Sequence, residues 1–222
     1  MMLAIGVPTA MQNAIFQVAN LFIQGGVNTF SPTVVEGNSV ADQPNGIVFC
    51  MLDAFYVACT SFMSQNYGAG KRDRVLKSYR VSLTYACGTA LLLSGLLALF
   101  GRPFLSLFNR DPAVLDAGMY RLNVMCCCYV FAAVMDCTIA ASRGLGKTFV
   151  PTVIVVVGSC LFRIAWVYTV FAYFHTMISL YALYLFSWVL TGAAEIVYFR
   201  RVWKKLFTTT KNSLQIDEYI VK

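Results

Sequence analysis

Six stretches of this chain, at about residues 3–29, 46–65, 81–100, 122–141, 149–171 and 177–198, are apolar over the length a helix needs to cross a hydrocarbon core, about 20 residues. Lipid is therefore the solvent for most of the molecule. Composition agrees: 59% of the 222 residues are hydrophobic and 12% are charged, against roughly a quarter charged in a soluble domain. Residues 1–35 carry no charge at all. They lack the basic start and small-residue cleavage site of a signal peptide, so they are expected to form a retained span. The expected fold class is all-α: a polytopic membrane protein with six transmembrane helices, forming one unit over residues 1–205, with a short, polar, mobile cytoplasmic tail over 206–222.

The second run stops at Ser64-Gln65-Asn66-Tyr67-Gly68-Ala69-Gly70-Lys71-Arg72-Asp73-Arg74, where an amide pair, two glycines and consecutive ionised residues end a helix and turn the chain. Lys71, Arg72, Arg74 and Lys77 follow the second run, Arg143 and Lys147 the fourth, and Arg200, Arg201, Lys204 and Lys205 the sixth. The other side is read as holding only Arg102 and Arg110. Short cytoplasmic loops retain Lys and Arg, which predicts a multi-pass protein of the cell membrane with both termini cytoplasmic. The same clusters account for the net charge of +7 through lipid headgroups, so no nucleic-acid partner is expected. Asp111-Pro112 reads as an N-cap followed by proline at the first helical position. Residues 102–110, with Phe104, Leu105, Leu107 and Phe108, read as a short amphipathic piece lying among headgroups. Trp166, Tyr168, Tyr173, Trp188 and Trp203 suit interfacial anchors or packing between helices.

Ionisable side chains inside spans point to function, because Asp or Arg at a helix centre costs about 2.5–3.5 kcal/mol on insertion scales and needs a partner or a wet cavity. Asp53, Asp136, Arg163 and Glu195 qualify, with Arg163 read as the only deeply placed cation. Two readings stay open. Asp53 and Asp136 line a cavity that binds a coupling cation or proton beside Arg163, or one of them forms a structural ion pair with Arg163 that fixes helix register. Glu195, within a turn and a half of Arg200, is expected to snorkel to the cytoplasmic interface.

The first run carries Gln12, Asn13, Gln17 and Asn20, and the spacing of Asn13, Gln17 and Asn20 places them on one helix face. That face lines a substrate path or bonds neighbouring helices. Glu36, Asn38, Ser39, Asp42, Gln43 and Asn45 continue its polarity into the second span, which favours the path. Phe16, Phe22, Phe49, Phe55, Tyr56 and Phe62, with Met51 and Met63, suit a cavity for flat lipophilic cations or ordinary helix packing. Phe49 and Tyr56 are taken as substrate-path candidates. The eight cysteines lie in apolar runs as packing residues, and adjacent Cys126, Cys127 and Cys128 point to different helix faces. Arg143-Gly144-Leu145-Gly146-Lys147-Thr148 ends like a phosphate-binding loop but lacks its first glycine. No catalytic residues, metal site or cofactor are expected, and the chain is not read as an enzyme.

Several motifs carry a family resemblance: Gly6-Val7-Pro8, Asn28-Thr29-Phe30, Gly37-Asn38-Ser39, the stretch from Ser64 to Lys71, Met135-Asp136, Ser142-Arg143-Gly144-Leu145-Gly146-Lys147, Pro151, and Gly158-Ser159-Cys160-Leu161-Phe162-Arg163 with Trp166 and Tyr168. In these, over about residues 3–205, the chain resembles the C-terminal lobe of a MATE (multidrug and toxic compound extrusion) transporter. The resemblance implies twelve spans in two pseudo-symmetric lobes around a central cleft that opens alternately to either side. It implies half of a secondary active antiporter exporting organic cations and drugs in exchange for H+ or Na+, partnered by a missing N-terminal lobe or a second copy, and by membrane lipid. Phe16 and Gln17 stand where some branches carry a cation-binding glutamate. Two other functions are weighed: a lipid-linked saccharide flippase of the same superfamily, which expects a more basic cleft, and a truncated lobe that assembles without transporting.

Overall fold

The computed structural model describes residues 2–220, with side chains defined for residues 10–12 and 14–207. Six helices follow one another: α1 (Met2–Val27), α2 (Pro32–Gly68), α3 (Arg72–Leu105), α4 (Pro112–Gly144), α5 (Phe149–Phe174) and α6 (Met177–Ile220). Among the described residues, α2 to α6 are long and apolar enough to cross a membrane, and the 26-residue α1 supplies the sixth helix. The connections are short, so successive helices run antiparallel. One end of the bundle carries the α2–α3 and α4–α5 turns and the basic cluster of α6; it is called here the basic end. The backbone of α6 runs on as helix through residues 206–220, and the side chains beyond residue 207 lie outside the described set.

Local sequence explains where the helices stop. At the basic end α2 and α4 finish alike: Gly70 and Gly146 take φ of +68° and +76°, a region open to glycine at no steric cost. The amides of Lys71 and Lys147 then reach back to the carbonyls of Asn66 at 2.9 Å and Ser142 at 3.1 Å, closing the last turn of each helix. At the opposite end Pro32 and Pro112 open α2 and α4. The Asp111 carboxylate accepts from the Ala113 amide at 2.9 Å, so the cap expected from Asp111-Pro112 is present. Pro44 lies buried inside α2 without ending it.

The expected amphipathic piece over residues 102–110 is not a separate element. Arg102 to Leu105 belong to α3, Leu105 is fully buried, and the exposed apolar side chains there are Leu107 and Phe108. Most of the aromatic anchors also turn out to be packing residues. Trp188 is buried against Phe49, with ring centroids 5.9 Å apart. Trp166 stacks on Phe186 at 5.1 Å and donates its indole N–H to the Ser179 carbonyl at 2.8 Å. Trp203 packs on Phe207 at 4.3 Å. Tyr168 and Tyr173 remain exposed.

Helix α4 forms the centre: 67% of its apolar window is buried, against 11% for α3. It approaches its neighbours through glycines. A Cβ on Gly37 of α2 would lie 2.7 Å from the Val114 carbonyl oxygen and 2.9 Å from the Gly118 nitrogen, and one on Gly144 would lie 2.8 Å from the Met63 Cβ. The α2–α4 pair therefore touches at backbone distance near both of its ends. Gly37→Ala is expected to lower stability by about 1–3 kcal/mol, the usual cost of overpacking. Gly46→Ala, with nothing within 4 Å of its Cβ, is expected to be tolerated. Thermal unfolding of both variants in detergent checks the contrast.

Candidate functional site

Polar side chains in a helix bundle are spared lipid only by facing inward, and here α1, α2, α4, α5 and α6 turn theirs toward one cleft of about 570 Å³. This is within the range of small-molecule sites. Of the sequence-predicted residues, Asp53, Asp136, Arg163, Gln17, Asn20, Phe49 and Tyr56 all line it. Asn13 belongs to α1, but its side chain lies outside the described residues. Asp53 is exposed and Asp136 partly exposed. Among the described residues no hydrogen bond or ion pair reaches either carboxylate; the Asp136 charge acts through space with Asp53, Arg163 and Arg143.

Arg163 sits in the middle of α5 between two wider, π-helical segments, Val156–Leu161 and Val167–Phe171, a distortion frequent at functional sites. Its guanidinium lies over the rings of Phe16 at 4.6 Å, Tyr184 at 4.8 Å and Trp188 at 5.9 Å. It donates to the Ser187 hydroxyl at 3.2 Å and, at 3.5 Å, to the Asn20 side-chain oxygen. With 1% exposure it is caged by aromatic faces, which hold a cation by their quadrupoles. The direct ion pair of Arg163 with Asp53 or Asp136, one of the two sequence readings, does not form among the described residues.

Two further arginines line the cleft, so Arg163 is not its only deep cation. At the end away from the basic cluster, Arg121 is 5% exposed. It pairs with Asp42, donates to the Asn38 carbonyl, and lies 5.8 Å from the Tyr181 ring; the Tyr181 hydroxyl bonds the Asn38 side chain at 3.1 Å. This network ties α2, α4 and α6 together. Sequence reasoning passed over Arg121 because it adjoins the apolar run beginning at Leu122. The signal was present in the register, since Asp42 and Arg121 stand at nearly equal distances beyond the prolines that open α2 and α4.

Toward the basic end, Arg143 donates to the Tyr56 hydroxyl at 2.7 Å, to the Gln12 side-chain oxygen, and to the Thr152 hydroxyl at 3.3 Å. It thereby joins α1, α2 and α5 to α4. Glu195 does not snorkel: it is fully buried, with both carboxylate oxygens unpartnered, behind the cleft rather than in it. The face of α6 that carries Ser187 and Thr191 also carries Glu195, which draws it into the bundle.

A helical bundle of membrane spans that surrounds a polar cleft with unpaired carboxylates is the architecture of a membrane transporter. The chain belongs to the MatE family, whose model matches residues 8–169; its members are transporters, not enzymes. It is 28% identical over 122 residues to an FAD transporter of Shewanella oneidensis, covering 55% of this chain and 27% of that one. It is 25% identical over 150 residues to the "Probable multidrug resistance protein NorM" of Aromatoleum aromaticum, covering 68% and 32%. In fold it resembles a MOP superfamily transporter from Pyrococcus furiosus, with a TM-score of 0.82 at 16% identity over 92% of this chain and 46% of that one. An outward-facing multidrug resistance MATE transporter matches with a TM-score of 0.82 at 15% identity over the same shares. The chain thus spans about half the length of these solved transporters and less of the curated relatives.

The Arg121 network gives an asymmetric prediction. Asp42→Ala strands a buried guanidinium and is expected to cost about 3 kcal/mol. Arg121→Met leaves a half-solvated carboxylate and is expected to cost less. Chemical denaturation of the two variants side by side reads the difference.

Proposed function

We propose that this chain is the C-terminal lobe of a secondary active efflux antiporter that moves organic cations or drugs against H+ or Na+. In this reading the basic end is cytoplasmic, both termini lie there, and the membrane is the cell membrane. The cleft is one wall of the transport path, completed by an N-terminal lobe or a second copy of the chain. The observation that carries the proposal is the pair Asp53 and Asp136: two carboxylates projecting into one cleft from the adjacent helices α2 and α4, without a partner among the described residues and open to a mobile cation. Apolar and aromatic walls from Phe16, Phe49, Tyr184 and Trp188 suit a flat lipophilic cargo. Three aspartates in the cleft offset its three arginines, and this balance favours the antiporter over the saccharide flippase, which expects a more basic surface.

The test is ethidium movement in proteoliposomes containing the assembled transporter, under an imposed proton or sodium gradient. Asp53→Asn and Asp136→Asn are expected to reduce the gradient-driven rate by roughly 5- to 150-fold, the range of ordinary coupling free energies. Full rates in both variants under either gradient would remove these carboxylates from the coupling. Ethidium movement that neither gradient drives would remove the antiporter reading.

A further inference from the structure

Among the described residues, seven buried side-chain polar atoms have no hydrogen-bond partner, and four of them belong to three side chains toward the basic end of α4 and α6: the Ser142 hydroxyl, the Arg143 Nε and both carboxylate oxygens of Glu195. Helices α4 and α6 run parallel, and their contacts fix the register. A Cβ on Gly192 would lie 3.5 Å from that of Met135, while Phe199 and Val202 share a core cluster with Ala140 and Ala141. Glu195 therefore lies between these contacts, at the level of Asp136 to Thr138, about a turn short of Ser142 and Arg143. The polar groups above it on α6 are satisfied, Ser187 by Arg163 and Thr191 by Ser159 at 2.9 Å. One turn further toward the basic end the pairing stops at Glu195. Among the described residues, the charged or titratable groups that act on it are Arg143 from α4 and Tyr198 from α6; α5 reaches the same face of α6 through Ser159 at Thr191 and Arg163 at Ser187, one and two turns further from the basic end.

An ionised carboxylate buried with no donor and no cation in contact is not a stable arrangement, whereas a carboxylic acid is neutral and tolerates the site. A neutral Glu195 also explains Arg143. That guanidinium leaves its Nε unpartnered and spends its other donors on Tyr56, Gln12 and Thr152, although a glutamate stands behind it. We propose that Glu195 is a proton-holding site behind the cleft, and that loss of its proton draws Arg143 away from Tyr56 and Gln12. The proton passes from the carboxyl to water at the basic end, the guanidinium keeps its charge throughout, and an Arg143–Glu195 ion pair replaces the bonds to α1 and α2. Because Arg143 joins α1, α2 and α5 there, its withdrawal opens that end of the cleft.

The consequence for transport rests on the antiporter reading, but the protonation and the exchange of partners do not, so the experiment reads the chain itself. Wild type and Glu195→Gln, reconstituted in lipid vesicles with 13C-labelled glutamate, are compared by infrared spectroscopy; only Glu36, Glu195 and Glu218 carry the label. At neutral pH the wild type is expected to show the labelled C=O stretch of a protonated carboxylic acid, absent from the variant and lost from the wild type at high pH. Labelled glutamate that is wholly ionised at neutral pH overturns the proposal. Amide exchange over residues 9–15 of α1, corrected for its intrinsic pH dependence, is expected to quicken as the band is lost in the wild type and to stay constant in Glu195→Gln. Equal behaviour of the two overturns the Arg143 exchange. If Glu195→Gln does not fold, the pH course of the wild-type band and its exchange decides the matter, with Glu195→Asp as the second variant.

Discussion

The backbone contact between α2 and α4 is the constraint on which the rest of the bundle depends. Lipid tails give helices no hydrophobic reason to associate, so membrane helices hold together by close packing and hydrogen bonds. Gly37 against Val114 and Gly118, and Gly144 against Thr60 and Met63, bring two long helices together near each end. Between those points Cys59, Thr60 and Tyr129 reach across to polar partners on the opposing helix. With α3 packed outside them, α2 and α4 form a fixed plate, and Asp42, Asp53, Arg121, Asp136 and Arg143 project from it into the cleft. The positions of these charges follow from the plate.

The cleft is divided by charge along its length. At one end Arg121 is neutralised by Asp42 and bound to Asn38; in the middle Arg163 is shielded by rings; toward the basic end Arg143 is held by an amide and two hydroxyls. Each arginine thus meets different chemistry, though each keeps one buried nitrogen without a partner, while Asp53 and Asp136 have no hydrogen bond or ion pair among the described residues. Counting charges along the sequence does not reveal this division, because it depends on which groups the fold brings into contact.

Much of the architecture was legible in the sequence, for reasons specific to membranes. Six apolar runs required six helices because the backbone has no other partner in lipid, and the Asp111-Pro112 cap and the Gly-Lys turns are local. The cleft was legible in part: the polar face of α1 and the midspan charges had to face inward, and Gln17, Asn20, Asp53, Asp136 and Arg163 do. The pairings were not legible, since they depend on rotation and register between helices. Glu195 lay close enough to Arg200 to suggest an interfacial carboxylate, yet its helix face is the one that packs on α4 and α5. Arg121 was hidden at the border of an apolar run, and its partner Asp42 read as part of a diffuse polar stretch.

Helix α5 stands apart from this plate in its backbone. Its two π-helical segments flank the residues that carry Arg163, and each departs from the regular hydrogen bonding of an α-helix. The plate is fastened at both ends, whereas α5 meets α4 mainly near its own start and otherwise lies against α1 and α6. The wall of the cleft that carries Arg163 is therefore the one least tied to the plate. The caged arginine thus sits on a helix with an irregular backbone, opposite a plate whose two helices meet at backbone distance.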